Sequence, residues 1–380
     1  MDTLKPFTNE PAFLGRSYEM DFLQSWIVEK PKNILFLYGP KSSGKTTLLY
    51  KFIEQNLNNI KYDIKHFNLR RLLLINYESF LRAFFELKTS EQVKEQRQYD
   101  LKVFKLSVET IKGLELKDID PFIVMARELQ KQVKKAKRPI IIIDELQALD
   151  EIYFNGDREL LKEMFNFFVA MTKESHLCHV IIASSDGYFI DRIYNDSRLK
   201  KTSEFLEVDY LGFDDVMEWL ANLEKYSKID EFVLTDFQKQ VMWDFFGGSC
   251  WEISNFLGHL LMKVENARVS DKDFHDILEV KRIACRSMFA EYATIIPKKR
   301  ALLKEIAKVL EHKRVFTPDD IVALVEQEIW QPDDMIDELN RLVQRNYLSY
   351  APPRAEYALQ GRSMEIGICA YVEMISSRQI

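Results

Sequence analysis

Eight consecutive residues, Gly39-Pro40-Lys41-Ser42-Ser43-Gly44-Lys45-Thr46, have the types and spacing needed to hold a polyphosphate, GxxxxGK[ST]. Gly39 and Gly44 let the backbone turn so that successive N–H groups converge on an anion. Lys45 brings a cation to the β- and γ-phosphates, the Thr46 hydroxyl can ligate Mg²⁺, and Thr47 continues the same helical turn. In a chain of this composition a chance match is expected about once in a hundred sequences or less. A glycine turn with a surface lysine would satisfy the same letters. The setting argues against it, because the apolar run Asn33–Tyr38 leads in and a helical pattern leads out.

Two further segments end in groups that complete such a site. Ile140-Ile141-Ile142-Ile143-Asp144-Glu145 is an apolar run closed by two carboxylates. At the carboxyl end of a parallel strand, Asp144 would serve the metal and Glu145 would orient or deprotonate an attacking water. Alone the pattern is weak, since an aspartate ending a strand often caps the next helix. His179-Val180-Ile181-Ile182-Ala183-Ser184-Ser185 ends in hydroxyls, and either Ser184 or Ser185 could hydrogen-bond a terminal phosphate or the water. Capping or turn roles explain either serine nearly as well.

These segments need a sheet to carry them. Ile34–Tyr38, Ile64–Leu69, Pro139–Ile143 and His179–Ala183 are nearly continuous apolar runs, as expected of strands buried on both faces. Helical patterns lie between them, and the alternation predicts an α/β fold: a parallel sheet sandwiched by helices. Residues 89–112 are polar and charge-mixed and read as a surface insertion. After Asp214 the strand runs stop, and four helical patterns, Asp214–Lys225, Asp236–Phe246, Cys250–Ala267 and Asp271–Arg286, predict a lid subdomain. From Pro297, three helical patterns (Lys299–His312, Pro318–Glu328 and Pro332–Gln344) precede the strand candidates Tyr347–Tyr350 and Glu356–Leu359 around Ala351-Pro352-Pro353-Arg354, the plan of a winged helix-turn-helix. The expected division is 1–213 for the phosphate-binding core, 214–292 for the lid and 293–380 for the winged helix.

The composition sets bounds on this reading. With 380 residues, 47% hydrophobic and 29% charged, the chain suits two or three folded domains and excludes a disordered protein. Its formal net charge of −6 offers no global field for nucleic acid. Four scattered cysteines form no zinc or disulfide pattern, which suits a reducing interior. No leader or spanning run is evident, so a cytoplasmic protein without membrane contact is expected.

The order of motifs resembles the archaeal-type ATPase family, in the STAND branch of the AAA+-related P-loop NTPases. Phe13-Leu14-Gly15-Arg16-Ser17-Tyr18-Glu19 is similar to that family's F-x-G-R-x-x-E box. The P-loop strand, the I-I-D-E strand, the serine-ended strand, a lid and a winged helix then follow in family order. The resemblance implies ATP or ADP with Mg²⁺ as ligands, Gly15 and Arg16 near the adenine, and a switch whose lid and winged helix move with the nucleotide. Two departures stand out. Where many members carry Gly-Arg before the strand entering the lid, aligned here to Phe205–Leu211, this chain has Lys200-Lys201. Lys201 lacks the planar fork of arginine, and Arg198 is a substitute candidate. The family's Gly-Gly-x-Pro reads Gly247-Gly248-Ser249-Cys250, with Gly248 retained beside the ligand or serving only as a helix-separating turn.

Charge on the winged helix bears on partners. Its third helix carries Asp333, Asp334, Asp337 and Glu338 against Arg341 and Arg345, a poor surface for phosphates. The basic run Lys298-Lys299-Arg300 with Lys304 and Lys308, together with Arg354, could touch a nucleic-acid backbone without reading sequence. A protein partner or self-association is therefore the expectation over DNA. The leading expectation is a Mg-dependent, ATP-hydrolysing switch. An initiator-like DNA-binding ATPase and a nucleotide-binding scaffold with negligible turnover are the alternatives.

Overall fold

The computed structural model describes residues 12–58, 60–71, 74, 76–87, 104–116, 119–150, 152–154, 158–196, 199–230, 232–294 and 296–377. Five parallel strands form the central sheet: β1 (Ile34–Tyr38), β2 (Tyr62–Asn68), β3 (Arg138–Asp144), β4 (His179–Ser184) and β5 (Ser203–Glu207). Their spatial order is β2-β3-β4-β1-β5, so β1 lies inside the sheet and the next strand in sequence, β2, at an edge. Register pairs Tyr38 with Ser184 and Glu207, and Asp144 with Asn68 and Ala183. The ends of the motif-bearing strands are thereby brought to one edge.

Continuous apolar runs are explained by burial on both faces. Leu35, Leu37, Ile140, Ile142 and Ile181 face helices α1 (Ser17–Val28) and α2 (Lys45–Asn56) through Trp26, Leu48 and Phe52. The alternate residues Phe36, Ile141, Ile143, Val180 and Ile182 face α3 (Pro121–Lys134), α4 (Leu160–Val169) and α5 (Gly187–Asp196). Every residue of β1 is buried, so neither face could have been polar. The expected polar insertion falls mainly on residues 88–103, outside the described residues. Its flanks differ from expectation, because Phe104, Leu106 and Leu114 pack into the sheet's core.

Beyond the sheet, α6 (Phe213–Ala221), α7 (Asp236–Phe246), α8 (Cys250–Leu261) and α9 (Asp271–Ala293) close around Trp219, Phe256 and Phe274. Helix α9 outruns the pattern Asp271–Arg286, and its last residues Phe289, Tyr292 and Ala293 belong to the next core. That core is built by α10 (Pro297–Leu310), α11 (Pro332–Gln344), α12 (Arg362–Ser377) and the strands β6 (Val315–Phe316), β7 (Leu348–Ala351) and β8 (Glu356–Leu359). The expected second helix, 318–328, is instead a 3₁₀ turn, Pro318–Ile321, followed by one short helix, Ala323–Glu326. Strand β6, too short to show a period, completes an antiparallel sheet of order β6-β8-β7.

This C-terminal module packs directly on the core. Helix α11 and strand β7 meet α5, and at Gly187 a Cβ would lie 1.9 Å from the Tyr350 carbonyl oxygen. Arg354, between β7 and β8, forms a bidentate pair with Glu207 at the end of β5, at 2.7 and 2.9 Å. Its basic run is largely spent internally. Lys299 pairs with buried Glu338 at 3.0 Å, Lys298 lies 4.3 Å from the Trp330 ring centre, and Arg300 donates to the Ala293 and Thr294 carbonyls. Among the described residues no helix is long and apolar enough to cross a membrane.

Candidate functional site

The loop after β1 turns as its glycines require. Gly39 has φ +150°, and a Cβ there would lie 2.1 Å from the Val208 carbonyl oxygen. Gly44 caps α2 with φ +96° in open space, so conformation rather than crowding demands glycine. Between them, Ser42 also takes a positive φ of 66°. Lys45 is buried, and its ammonium donates to the carbonyls of Gly39 and Pro40 at 2.9 and 2.7 Å and approaches Ser43 Oγ at 3.4 Å. Burial pushes its pKa down to about 8, against the opposing pull of Glu145 and Asp144.

Beneath the helix start, Thr46 Oγ1 donates to Asp144 Oδ2 at 2.7 Å, joining the loop to the end of β3. Among the described residues, Asp144 Oδ1 is buried with no hydrogen-bond partner, and so is Oδ1 of Asn68, opposite it in β2. Burial raises the Asp144 pKa, while the Thr46 hydroxyl opposes that rise. A buried carboxylate oxygen left free beside a hydroxyl fits Mg²⁺, which takes one or two protein ligands and completes its shell with phosphate and water. Thr46 and Asp144 are the residues that would hold it.

Glu145 follows with φ 64°, a left-handed conformation stabilised by its N–H bond to the Ala183 carbonyl at 2.9 Å. Both oxygens of its carboxylate have a partner: Arg70 pairs with Oε1 and Gln147 Nε2 donates to Oε2. Gln147 Oε1 accepts from Ser184 Oγ at 3.0 Å, and the same Oγ accepts the Asp186 N–H. Ser184 is thus tied inward, whereas Ser185 lines the cleft. That cleft, about 430 Å³, is lined in part by Lys45, Thr46, Arg70, Glu145 and Ser185. Thr47, Cys250, Trp251 and Ser254 also line it.

The remaining sequence candidates separate into clamps and outliers. Arg16 is buried; its guanidinium donates to the carbonyls of Ser43 and Asp209 at 2.6 and 2.7 Å and pairs with Glu19. These contacts staple the amino-terminal box to the loop and to the exit of β5. Gly15, with φ 64°, leaves no room for a Cβ beside the Asp215 carboxylate. At Gly248 a Cβ would sit 2.0 Å from the Leu211 carbonyl oxygen, so this glycine lets the lid backbone touch the strand exit. Lys201 stands before β5 next to Thr202, whose carbonyl accepts the Ile34 N–H. That is the opposite edge of the sheet, about 15 Å away at strand rise, so Lys201 cannot serve its own chain's loop. Arg198 lies outside the described residues.

Sequence reasoning missed three partners. Arg70 reaches Glu145 from the turn after β2, Gln147 follows Glu145 by two residues, and Gln360 accepts the Lys41 N–H at 2.9 Å from the end of β8. On the other side of the same residue, the Tyr210 hydroxyl donates to the Lys41 carbonyl at 3.1 Å. Only Gln147, next to the carboxylate pair, lay within reach of a local pattern.

A glycine loop between buried strand and helix, with Thr46 on Asp144, defines a P-loop nucleotide-binding protein, its sheet followed by a helical subdomain and by a C-terminal module of helices and a small antiparallel sheet. Residues 13–256 match the family of ATPase domains found predominantly in Archaea, and the chain belongs to that family. An ATP-binding protein of Methanocaldococcus jannaschii is 38% identical over 211 residues, 55% of this chain and 62% of that protein. Another from the same organism is 30% identical over 302 residues, 71% and 79% of the two chains. The chain spans about three fifths of the length of the first of these relatives. Among solved structures, a Walker-type ATPase of Pyrococcus abyssi superposes with a TM-score of 0.62 at 16% identity, covering 97% of this chain and 99% of that one. The ORC2 protein of Aeropyrum pernix, solved in ADPNP and ADP complexes, gives 0.54 at 11% identity and 98% of both. At such identities these two structures establish the fold.

Proposed function

We propose that the chain binds ATP with Mg²⁺, hydrolyses it, and works as a switch in which the lid and winged helix respond to the nucleotide. The observation that carries the switch is the Lys41 backbone: Gln360 of the winged helix accepts its N–H, and Tyr210, just ahead of the lid helices, donates to its carbonyl. A loop that must shape itself to phosphates is therefore mechanically joined to both mobile modules. The loop N–H groups and Lys45 bind the polyphosphate, and Thr46 and Asp144 hold the metal, which when bound neutralises phosphate charge. Glu145 orients the attacking water and takes its proton, once its carboxylate is free of Arg70 and Gln147. Ser185 offers a hydroxyl in the same cleft.

For the partner, a protein or a second copy of the chain suits the module better than DNA. The third helix of the winged domain packs on α5, and the charges of Lys299 and Arg354 are spent in pairs. The test is phosphate release from Mg-ATP by wild type and Glu145→Gln, with nucleotide affinity measured alongside. Turnover lost and binding kept in the variant is the expected result. Binding without turnover in either protein would select a scaffold. Duplex binding with a steep salt dependence would restore the initiator-like reading.

A further inference from the structure

A second cavity adjoins the nucleotide cleft. Its volume, about 670 Å³, falls in the range of about 300–1,000 Å³ typical of small-molecule sites. Lys41, Ser42, Arg70, Trp251 and Asn255 border both spaces. Thr46, Thr47 and Glu145 border only the first, whereas Phe246, Lys281, Met288 and Met364 border only the second. Helix periodicity builds one wall, because Lys281, Ala284, Cys285 and Met288 are spaced to share a face of α9. Phe246 at the end of α7 and Met364 in the first turn of α12 are buried and add apolar surface. Trp251, the second residue of α8, is 63% exposed, so its indole is apolar area that the fold leaves unspent.

Charge selects what such a cavity would take. Among the described residues that line it, Lys41, Arg70 and Lys281 are cations and Glu252 is the single acid. The Glu252 carboxylate accepts the Ser363 hydroxyl of α12 at 2.5 Å. Arg70 is paired with Glu145, but neither lysine forms an ion pair with a described residue. Lys281 Nζ donates to the neutral Asn255 Oδ1 at 2.7 Å, and the Lys41 side chain is exposed. Two ammonium groups beside apolar walls suit an anionic head on an apolar body. The position also matters, since Gln360 and Tyr210, which hold the Lys41 backbone, both line this cavity. An occupant therefore touches the same clamps that join the loop to the lid and to the C-terminal module. Its negative charge lies next to that of the polyphosphate and competes with it for Lys41.

We propose that this second cavity is a regulatory site for a small organic anion with an apolar body, whose binding weakens that of the nucleotide through the wall the two spaces share. The coupling rests on the nucleotide-switch reading above; the anion site itself does not.

The experiment titrates the full chain with two fluorescent probes. Anilinonaphthalene sulfonate has a flat apolar body and one anionic group, and phenylnaphthylamine has the same rings without the charge. Wild type should bind the sulfonate at one saturable site, and Lys281→Met should weaken that binding about tenfold. Phenylnaphthylamine should bind wild type and Lys281→Met alike, within about twofold. Met288→Glu, which sets a carboxylate on the same wall, should weaken the sulfonate more than the neutral probe. Saturating sulfonate should lower the affinity of wild type for a non-hydrolysable Mg-ATP analogue about fivefold. Without the probe, Lys281→Met should bind the analogue as wild type does, because Lys281 does not border the nucleotide cleft. Sulfonate binding that neither variant changes overturns the proposal, since the probe then sits elsewhere, the nucleotide cleft included. Equal loss of both probes in Lys281→Met overturns it as well, because the cavity would then select apolar bodies and not anions. Nucleotide affinity unmoved by saturating sulfonate overturns the regulatory role. A wild type that binds the sulfonate as described but no nucleotide refutes the switch reading and the coupling with it, whereas intact nucleotide binding without a sulfonate site refutes this inference alone.

Discussion

Removing Arg354 should loosen the C-terminal module from the core by an amount that can be worked out from its contacts. Its guanidinium makes two hydrogen bonds to Glu207, at 2.7 and 2.9 Å, and the paired side chains are 48% and 31% exposed. Charge-assisted bidentate geometry favours the upper end of the range for exposed pairs, and solvent screening caps it, giving about 1 kcal/mol. The Lys41 N–H reports on the docked state directly, because its acceptor, Gln360, lies across the same interface. In Arg354→Ala the free energy of undocking falls by that amount, so exchange of the Lys41 amide should quicken about fivefold. The amides of Val180–Ala183, inside the sheet, should not change. A cycle adding Glu207→Ala should show the second substitution costing little once the first is made. Unchanged Lys41 exchange in Arg354→Ala, or fully additive effects, would refute the claim that this pair holds the module closed.

Two other outcomes are expected. Because burial holds Lys45 near a pKa of about 8 against an ordinary 10.5, about half of the free protein carries a neutral lysine at pH 8. Polyphosphate recharges it, so ATP binding near pH 8 should take up about half a proton, seen as a dependence of binding heat on buffer ionisation enthalpy; no uptake would contradict the assignment. The unfolded chain holds that proton more tightly than the folded one between pH 8 and 10.5, so folding stability should rise with pH across this window, and Lys45→Met should flatten the rise. Gly248→Ala should lower the thermal midpoint through a cost of about 1–3 kcal/mol, since its Cβ would press on the Leu211 backbone. An unchanged midpoint with weakened ATP binding would return Gly248 to a ligand role.

What the sequence determined by itself is the chemistry carried by continuous segments. The loop Gly39–Thr46 and the pair Asp144-Glu145 are legible because each packs donor, cation or carboxylate into a run of adjacent residues, and a doubly buried strand announces itself as an unbroken apolar run. Turns and short strands were less so: β6, with two residues, has no period to read, and the helix expected over 318–328 broke into two pieces. The tertiary structure decided everything that depends on strand order and domain docking. Ser184 and Ser185 are adjacent and chemically alike, and only the position of Gln147 turns one inward and leaves the other to the cleft. Lys201 lies at the wrong edge because β5 runs parallel to β1, which puts the start of one beside the start of the other. Arg70 meets Glu145 because β2 lies next to β3, and Gln360 meets Lys41 across 319 residues because the C-terminal module folds back on the loop. Local spacing encodes what a segment can bind, whereas contacts between distant segments follow from how cores bury one another, and no window of sequence contains that.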